Sequence, residues 1–260
     1  MEFQKIIYTE EAPVATISLN SPKNLNAFDA HMIGEVLAAL ELCKNNPSVK
    51  VVVLNSTGKS FSAGGDIGYM YKAIQGGGGD FSESIEKIAG ISLAIKRLSQ
   101  PVIASVSGAV AGAAFNIALA CDFCVAAEDT KFMQAFVNIG LIPDAGGLYL
   151  LTRAVGVNKA AELAMTGAPV SAAEAKALGF VCQVVDAEAL AQETGKLAKR
   201  LAAGPGASFA NIKNLIMESS FQDFEAYIAQ EVKAQTACGA TEDFKEGIRA
   251  FVEKRRPNYQ

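Results

Sequence analysis

Two short segments rich in glycine and alanine carry the strongest chemical signal in this sequence of 260 residues. The first, FSAGGD at residues 61–66, follows the apolar run 49–54 and a Ser-Thr-Gly turn. The second, SGAVAGAA at residues 107–114, runs directly into a helical pattern. Small residues let a backbone N–H approach a ligand closely, and two such N–H groups can bind one developing oxyanion. The plainer interpretation is that each segment is only a turn between a strand and a helix.

The elements that position these segments alternate between strands and helices. Residue 29 is a candidate N-cap for the first helix, because aspartate accepts from the free N–H groups of a first turn. Strands that alternate with helices indicate parallel βαβ units, with turns at the strand ends. The predicted strands are 14–19, 49–54, 102–106 and 123–126, and the predicted helices are 29–45, 85–98 and 112–120.

From Gly147 onward the pattern is mostly helical. The segment Gly-Pro-Gly at 204–206 is the clearest hinge and predicts a core over 1–203 followed by a helical segment over 204–260. A second flexible point is the glycine run 76–79, interpreted either as a plain loop or as a lid that orders on ligand binding. The predicted helices of this half are 148–155, 159–165, 172–178, 187–203, 207–217, 221–237 and 243–254.

The overall charge excludes some classes of partner. A net charge of −4 and a pI near 5.2 leave no basic footprint, so no nucleic acid is expected. Residues 1–11 mix charged and apolar side chains, which predicts neither a signal peptide nor a membrane span. The cytoplasm is therefore the expected location.

The cysteines and histidine do not suggest redox or metal chemistry. Five cysteines, an odd number, argue against a disulfide framework. Cys121 and Cys124 form a C-x-x-C, but their apolar neighbours predict a buried strand after a helix rather than a reactive pair at a helix start. His31 is the only histidine and no second cysteine pair exists, so no metal site is expected.

Together and in this order, the two glycine-rich segments resemble those of the crotonase superfamily, the enoyl-CoA hydratase/isomerase family. Further matching segments are 21–28, 101–104, 120–122, 139–147 and 246–255, so nearly the whole chain is covered. The resemblance implies an α/β fold, a spiral of ββα units with a C-terminal helical segment. It also implies packing of those helices between subunits, as a homotrimer or homohexamer.

The same resemblance implies an acyl-CoA thioester as substrate, with coenzyme A as part of that substrate and no separate cofactor. The N–H groups of Ala63 and Ala113 would then hold the oxygen of a thioester enolate. Ala113 falls in the first turn of the helix 112–120, where N–H groups are unpaired and the helix dipole favours negative charge. Gly64, Asp66 and Gly112 belong to the same binding segments.

The acid and base residues depart from the hydratases of this family, which use two glutamates. Matching the motifs places Asn116 and Phe136 at those positions, and neither side chain transfers protons at neutral pH. The remaining carboxylate is Asp144, similar to the aspartate of dienoyl-CoA isomerases, of ring-epoxide isomerases acting on phenylacetyl-CoA derivatives and of an aryl-CoA dehalogenase. The alternative role for Asp144 is to cap the helix that starts near Gly146.

These matches favour an isomerase in which Asp144 moves one proton between C2 and C4 of an enoyl-CoA, with Asn116 orienting Asp144 or a water. Three alternatives stay open: a hydratase with an atypical acid/base set, a dehalogenase with Asp144 as nucleophile, and a non-catalytic acyl-CoA-binding component. Dehalogenation ranks low, because the dehalogenase that the chain resembles relies on Trp and His residues. This chain has no Trp, and its one histidine, His31, lies outside the matched catalytic segments.

The expected substrate contacts rest on weaker signals, since exposed lysines are usually only solvated and apolar side chains usually only form core. Acyl chain length and any ring in the substrate are not set by the sequence. Candidates for the CoA phosphates are Lys23, Lys254 and Arg255, and candidates for the acyl pocket are Tyr69, Met70, Met133 and Phe136.

Overall fold

The computed structural model describes residues 2–76 and 82–260, apart from the side chain of Ala73. Gly76 caps the end of a helix, and the rest of the glycine run, 77–79, lies outside the described residues. The choice between a plain loop and a lid at this run therefore stays a prediction.

A six-stranded sheet forms the centre of the fold, with the strand order β1-β2-β3-β4-β6-β9. The β1–β2 pair is antiparallel and every other neighbouring pair is parallel. A three-stranded sheet, β5-β7-β8, lies beside it. The strands are β1 Ile6–Glu11, β2 Val14–Leu19, β3 Val51–Ser56, β4 Val102–Val106, β5 Ala109–Ala111, β6 Phe123–Ala127, β7 Lys131–Met133, β8 Val170–Ser171 and β9 Gln183–Val185.

Eleven α-helices lie between and after the strands in the part of the chain that the structure describes. None of those that can be described is long and apolar enough to cross a membrane. The helices are α1 Ala30–Asn45, α2 Ile67–Gln75, α3 Ser82–Arg97, α4 Ala113–Ala120, α5 Gly147–Val155, α6 Val157–Thr166, α7 Ala172–Ala177, α8 Leu190–Ala202, α9 Gly206–Ser220, α10 Phe224–Gly239 and α11 Glu242–Val252.

Strand β3 is buried on both of its faces, which explains its continuous apolar run. Val52 and Leu54 join the main core, to which α1, α3 and α4 contribute. Val51 and Val53 point to the opposite face, where they pack with Leu197 of α8. Because successive side chains of a strand alternate between faces, this burial fixes the register of the sheet.

The predicted alternation of strands and helices is confirmed, with boundaries that differ by a few residues. Asp29 caps α1 as predicted, accepting from the Met32 N–H at 2.8 Å. Two elements are not predicted from the sequence: β1, an edge strand in which most side chains are exposed, and α2, which follows the first glycine-rich segment directly. The short strands of the smaller sheet are not predicted either, since two or three residues carry no periodicity.

The last three helices pack onto the core of the same chain. The side chain of Lys213 in α9 is buried, and its Nζ donates to Asp122 Oδ2 at 2.6 Å and to the carbonyl oxygens of Ile95 and Gln100. Pro205 of the predicted hinge is the N-cap of α9. The division of the chain at 203/204 stays a prediction.

Candidate active site

A largely apolar cavity lies between the first glycine-rich segment, helices α1 to α3 and the C-terminal helices α10 and α11. Its carboxylates are Asp29, Asp66 and Asp144, among the residues that the structure describes. Two of them are occupied by capping: Asp29 accepts from Met32 N–H, and Asp66 accepts from Tyr69 N–H at 3.1 Å. Asp144 is thus the carboxylate of this cavity that remains for chemistry.

Asp144 is buried and incompletely paired. The residue is 9% exposed, and its Oδ1 has no hydrogen-bond partner among the described residues. Burial raises the pKa of Asp144 to about 7, while a hydrogen bond with Gln235 opposes that rise. The side chain does not cap helix α5, whose N-cap is Gly146. The alternative role of Asp144 as an N-cap is therefore excluded by the structure.

Asp144 lies in a tight turn with unusual backbone conformation. Ala145 has φ of 54° and Gly146 has φ of 72°, so two successive residues occupy the left-handed region. Gly146 has no room for a side chain, because an added Cβ would come 2.4 Å from the ring of Phe224. The turn ends with the Gly147 N–H donating to the Asp144 carbonyl at 2.8 Å.

Asn116 holds this turn from the side of α4. Its Nδ2 donates to the main-chain carbonyl of Asp144 at 2.8 Å, and its Oδ1 accepts from Gln134 Nε2 at 2.7 Å. The predicted pairing of Asn116 with Asp144 is present, but the contact is to the main chain of Asp144 and not to its carboxylate. Asn116 is fully buried and does not line the cavity.

The first predicted oxyanion donor has to be corrected. The Ala63 N–H donates to the carbonyl of Leu25 at 3.0 Å, and the Gly64 N–H donates to Ser62 Oγ at 3.1 Å. Both groups are therefore already occupied. The N–H of Gly65 has no acceptor in the described part of the chain, and Gly65 lines the same cavity as Asp144. The free donor of this segment is Gly65, two residues after the predicted one.

The second predicted donor, Ala113, is the first residue of α4. The N-cap of this helix is Gly112, with φ of 55° and no side chain that could accept from the N–H groups of the first turn. Within the described chain, the Ala113 N–H has no acceptor. The two glycine-rich segments touch, because a Cβ on Gly64 would come 2.7 Å from the carbonyl oxygen of Ala111. The structure brings these segments together as the sequence predicted.

Two of the four predicted acyl-pocket residues line the cavity. Met70 and Tyr69 line it, and Tyr69 is also half exposed to solvent. Phe136 is buried in a neighbouring apolar cluster with Phe244, and Met133 lies in β7; neither is among the residues that line the cavity.

The predicted phosphate contacts lie away from the cavity wall. Lys23 is exposed in the 3-10 turn Pro22–Asn24, and Lys254 is exposed beyond α11. Arg255 is paired with Glu246 and Glu253 and so already has acidic partners.

Helix α10 contributes two polar residues that the sequence analysis missed, Glu231 and Gln235. Gln235 Oε1 accepts from the Ile142 N–H at 2.9 Å, and Glu231 Oε1 accepts from the Gly146 N–H at 2.8 Å. Burial raises the pKa of Glu231 to about 8, and the nearby Asp144 carboxylate adds to that rise. The available signal was two polar residues at core positions of an amphipathic helix.

The cysteines are all free, and those of the C-x-x-C are buried as predicted. Burial raises the pKa of Cys121 to about 12, so its thiol is not poised for redox chemistry.

Gly65, whose N–H has no acceptor, and the buried Asp144 line one largely apolar cavity, and the second such N–H, that of Ala113, lies in the segment that contacts the first glycine-rich segment. A free N–H pair and a buried carboxylate are the groups with which an enzyme can stabilise an oxyanion while moving a proton. The sequence model of the enoyl-CoA hydratase/isomerase family matches residues 9–260. The chain belongs to this family.

Relatives across the family include both isomerases and hydratases. The chain is 44% identical to a trans-2-decenoyl-[acyl-carrier-protein] isomerase from Streptococcus mutans, over 100% of this chain and 99% of the relative. It is 34% identical to a 1,2-epoxyphenylacetyl-CoA isomerase from Escherichia coli, over 100% and 98%. An enoyl-CoA hydratase from Mycobacterium avium subsp. paratuberculosis superposes with a TM-score of 0.91 at 33% identity, covering 100% of both chains. The predicted crotonase-like fold is thereby confirmed.

Proposed function

We propose that this protein is an enoyl-thioester isomerase in which Asp144 is the single acid and base. The observation that carries the proposal is that Asp144 alone, among the carboxylates described at the cavity, is not used as a helix cap. A shift of a double bond by one carbon requires one proton to leave and one to return. A single residue within reach of both carbons meets that requirement.

The reaction begins when the ionised Asp144 carboxylate removes a proton from C4 of a 2-enoyl thioester. The electron pair of the C–H bond forms the new C3–C4 double bond and the old one shifts to C1–C2, which leaves a dienolate with its charge on the thioester oxygen. The N–H groups of Gly65 and Ala113 donate to that oxygen, and one such donor contributes about 3 kcal/mol. Protonated Asp144 then returns the proton to C2 and re-forms the carbonyl.

The protonation equilibrium of Asp144 suits both halves of this cycle. A carboxyl with pKa of about 7 is ionised in a large fraction of molecules near neutral pH, and its conjugate acid still donates readily. Burial, the main cause of the raised pKa, also keeps water from the dienolate.

Hydration of the double bond is the second candidate, since some relatives are named hydratases. The positions that carry the two glutamates in the family's hydratases hold Asn116 and Phe136. Glu231 is buried against the Gly146 N–H and is not among the residues that line the cavity. The other carboxylates described on the cavity wall, Asp29 and Asp66, are both committed to capping helices, so none besides Asp144 is left to carry a proton for an attacking water, which favours isomerisation.

The carrier of the acyl group is proposed to be coenzyme A or acyl carrier protein. Family membership supports an acyl-CoA thioester, whereas the relative from Streptococcus mutans is named for an acyl-carrier-protein substrate. The reacting atoms are the same in both cases, so Asp144, Gly65 and Ala113 keep their roles.

We also propose that the protein assembles as a homotrimer or homohexamer in the cytoplasm. Helix α9 supports the assembly, because Ile212, Leu215 and Ile216 are exposed at a spacing that places them on one face. An exposed apolar stripe of this kind is typical of a protein contact.

The proposed reaction is tested by incubating the purified protein with 2-enoyl and 3-enoyl thioesters of both carriers. Product analysis in D₂O measures the position of the double bond, deuterium at C2 and C4, and any 3-hydroxy product. Interconversion of the isomers without water addition is expected. A 3-hydroxy product as the main product would favour the hydratase, and binding without turnover of any of these thioesters would favour a non-catalytic acyl-CoA-binding role.

A further inference from the structure

One face of helix α10 combines apolar and polar residues in an unusual way. Phe224, Ile228, Glu231 and Gln235 follow each other at spacings of four, three and four residues, which places them on one side of the helix. All four are buried. A carboxylate or amide at such a position costs stability unless its polar atoms are paired, so these two residues require an explanation beyond packing.

Both polar residues bind the turn that carries Asp144. Gln235 accepts from the N–H two residues before Asp144, and Glu231 accepts from the N–H two residues after it, at 2.9 and 2.8 Å. Phe224 packs on the same turn, against Gly146. Helix α10 therefore contacts the Asp144 turn through three residues along its length, Phe224, Glu231 and Gln235.

The turn needs such support because of its backbone conformation. A non-glycine residue in the left-handed region, as Ala145 is, costs about 1 kcal/mol or more and persists where surrounding contacts impose it. A main-chain N–H left unpaired in a buried place would add a further cost. Glu231 removes that cost at Gly146, the residue that directly follows Ala145.

We propose that Glu231 is a positioning residue, which holds the Asp144 turn through the Gly146 N–H and so keeps the Asp144 carboxylate at the cavity. The inference rests on the proposed isomerase function and adds to it a residue from the C-terminal helical segment. Asn116 of α4 holds the same turn through the Asp144 carbonyl. Asp144 is in this way fixed between two elements that are distant in the sequence.

The choice of Glu231 over Gln235 follows from their surroundings. Gln235 lines the same cavity as Asp144, so its replacement would alter substrate contacts as well as the turn. Glu231 is not among the residues lining the cavity, and its Oε1 is directed at the main chain. A change at Glu231 therefore separates positioning from binding.

The test compares Glu231→Gln with Glu231→Leu. Glutamine keeps an oxygen that accepts from the Gly146 N–H, whereas leucine removes it. We expect Glu231→Leu to lower kcat by about 10- to 100-fold with KM changed less than about 3-fold, since positioning errors act on the chemical step. Glu231→Gln should restore kcat to within about 3-fold of the wild type. Glu225→Leu is the matched control, because Glu225 lies exposed on the same helix.

Hydrogen exchange at the Gly146 amide gives a second readout that does not depend on the reaction. Its protection should fall in Glu231→Leu and be retained in Glu231→Gln and Glu225→Leu. Unchanged kcat and unchanged protection in Glu231→Leu would overturn the inference, as would equal losses of kcat in the leucine and glutamine variants. A wild-type protein inactive on all enoyl thioesters but with this exchange pattern would contradict the proposed function while supporting the role of Glu231 in holding the turn.

Discussion

Asn116 donates from its side-chain Nδ2 to the main-chain carbonyl of Asp144 at 2.8 Å, across the contact between helices α4 and α5. Asn116, which the motif match places where the family's hydratases carry a glutamate, thus supports the main chain around another carboxylate. Gly147 lies directly against Asn116, where an added Cβ would come 2.1 Å from Nδ2. Asn116 therefore holds the turn of Asp144 by both a hydrogen bond and close packing.

Replacing Asn116 with aspartate should weaken both stability and turnover. The variant keeps an oxygen for Gln134 but loses the donor to the Asp144 carbonyl and adds a buried negative charge. We expect a loss of about 1–3 kcal/mol in the free energy of unfolding, measured by urea denaturation, and a lower kcat. Asn214→Asp on the exposed face of α9 is the control. Wild-type stability and kcat in Asn116→Asp would show that the hydrogen bond from Asn116 to the Asp144 carbonyl does not position Asp144.

The Ala113 N–H can be removed without disturbing its helix. Proline is well tolerated at the first position of a helix, so Ala113→Pro should fold with a similar Tm. Because it lacks the proposed oxyanion donor and places a ring carbon there, kcat should fall by about 10²- to 10³-fold.

The matched control for this prediction is Val157→Pro. Val157 is also the first residue of a helix, follows a glycine N-cap with positive φ and is exposed away from the cavity. We expect near-normal kcat in this variant. If Ala113→Pro were folded and equally active, the N–H of Ala113 would not be an oxyanion donor.

Stability and activity should respond to pH in opposite directions. Burial raises the pKa of Asp144 to about 7 and that of Glu231 to about 8, above their values of about 4 in the unfolded chain. Between about pH 4 and about pH 8 the folded protein binds more protons than the unfolded chain at these two groups. Their contribution to the free energy of unfolding is therefore fully present below about pH 4 and is lost as the pH rises through about 7 to 8. Activity should instead rise through about pH 7, because the reaction starts from ionised Asp144.

This prediction is checked by measuring Tm and kcat from about pH 5 to about pH 9. The double variant Asp144→Asn with Glu231→Gln should show a flatter dependence of Tm on pH. Suppose instead that the wild-type Tm rises with pH over this range and that the double variant removes this rise. That result would contradict the assignment of two buried carboxyls with raised pKa values.

The sequence predicts candidate site residues where they lie in local motifs. Asp144, Ala113 and the two glycine-rich segments follow from short stretches that resemble the family, and the structure shows that the two segments contact each other. The donor in the first segment was assigned to Ala63 instead of Gly65, because whether an N–H is free depends on Leu25, which approaches only in the folded chain. Local spacing carries no information on that pairing.

Glu231 and Gln235 were missed for a related reason. Their roles depend on where α10 packs, and a helix pattern alone does not say which turn its buried face will contact. The cavity itself is built from segments at both ends of the chain, including Phe28 and Phe244. Only the assembled fold brings these residues together.

The proposed role of Asp144 as the one acid and base of an isomerase is tested by the variant Asp144→Asn. Double-bond position and deuterium at C2 and C4 are followed in D₂O, with Asp223→Asn at the exposed start of α10 as control. We expect Asp144→Asn to fold and to lose about 10²- to 10⁴-fold in isomerisation and in deuterium exchange, and the control to remain near wild type. Near-normal isomerisation by folded Asp144→Asn would contradict it.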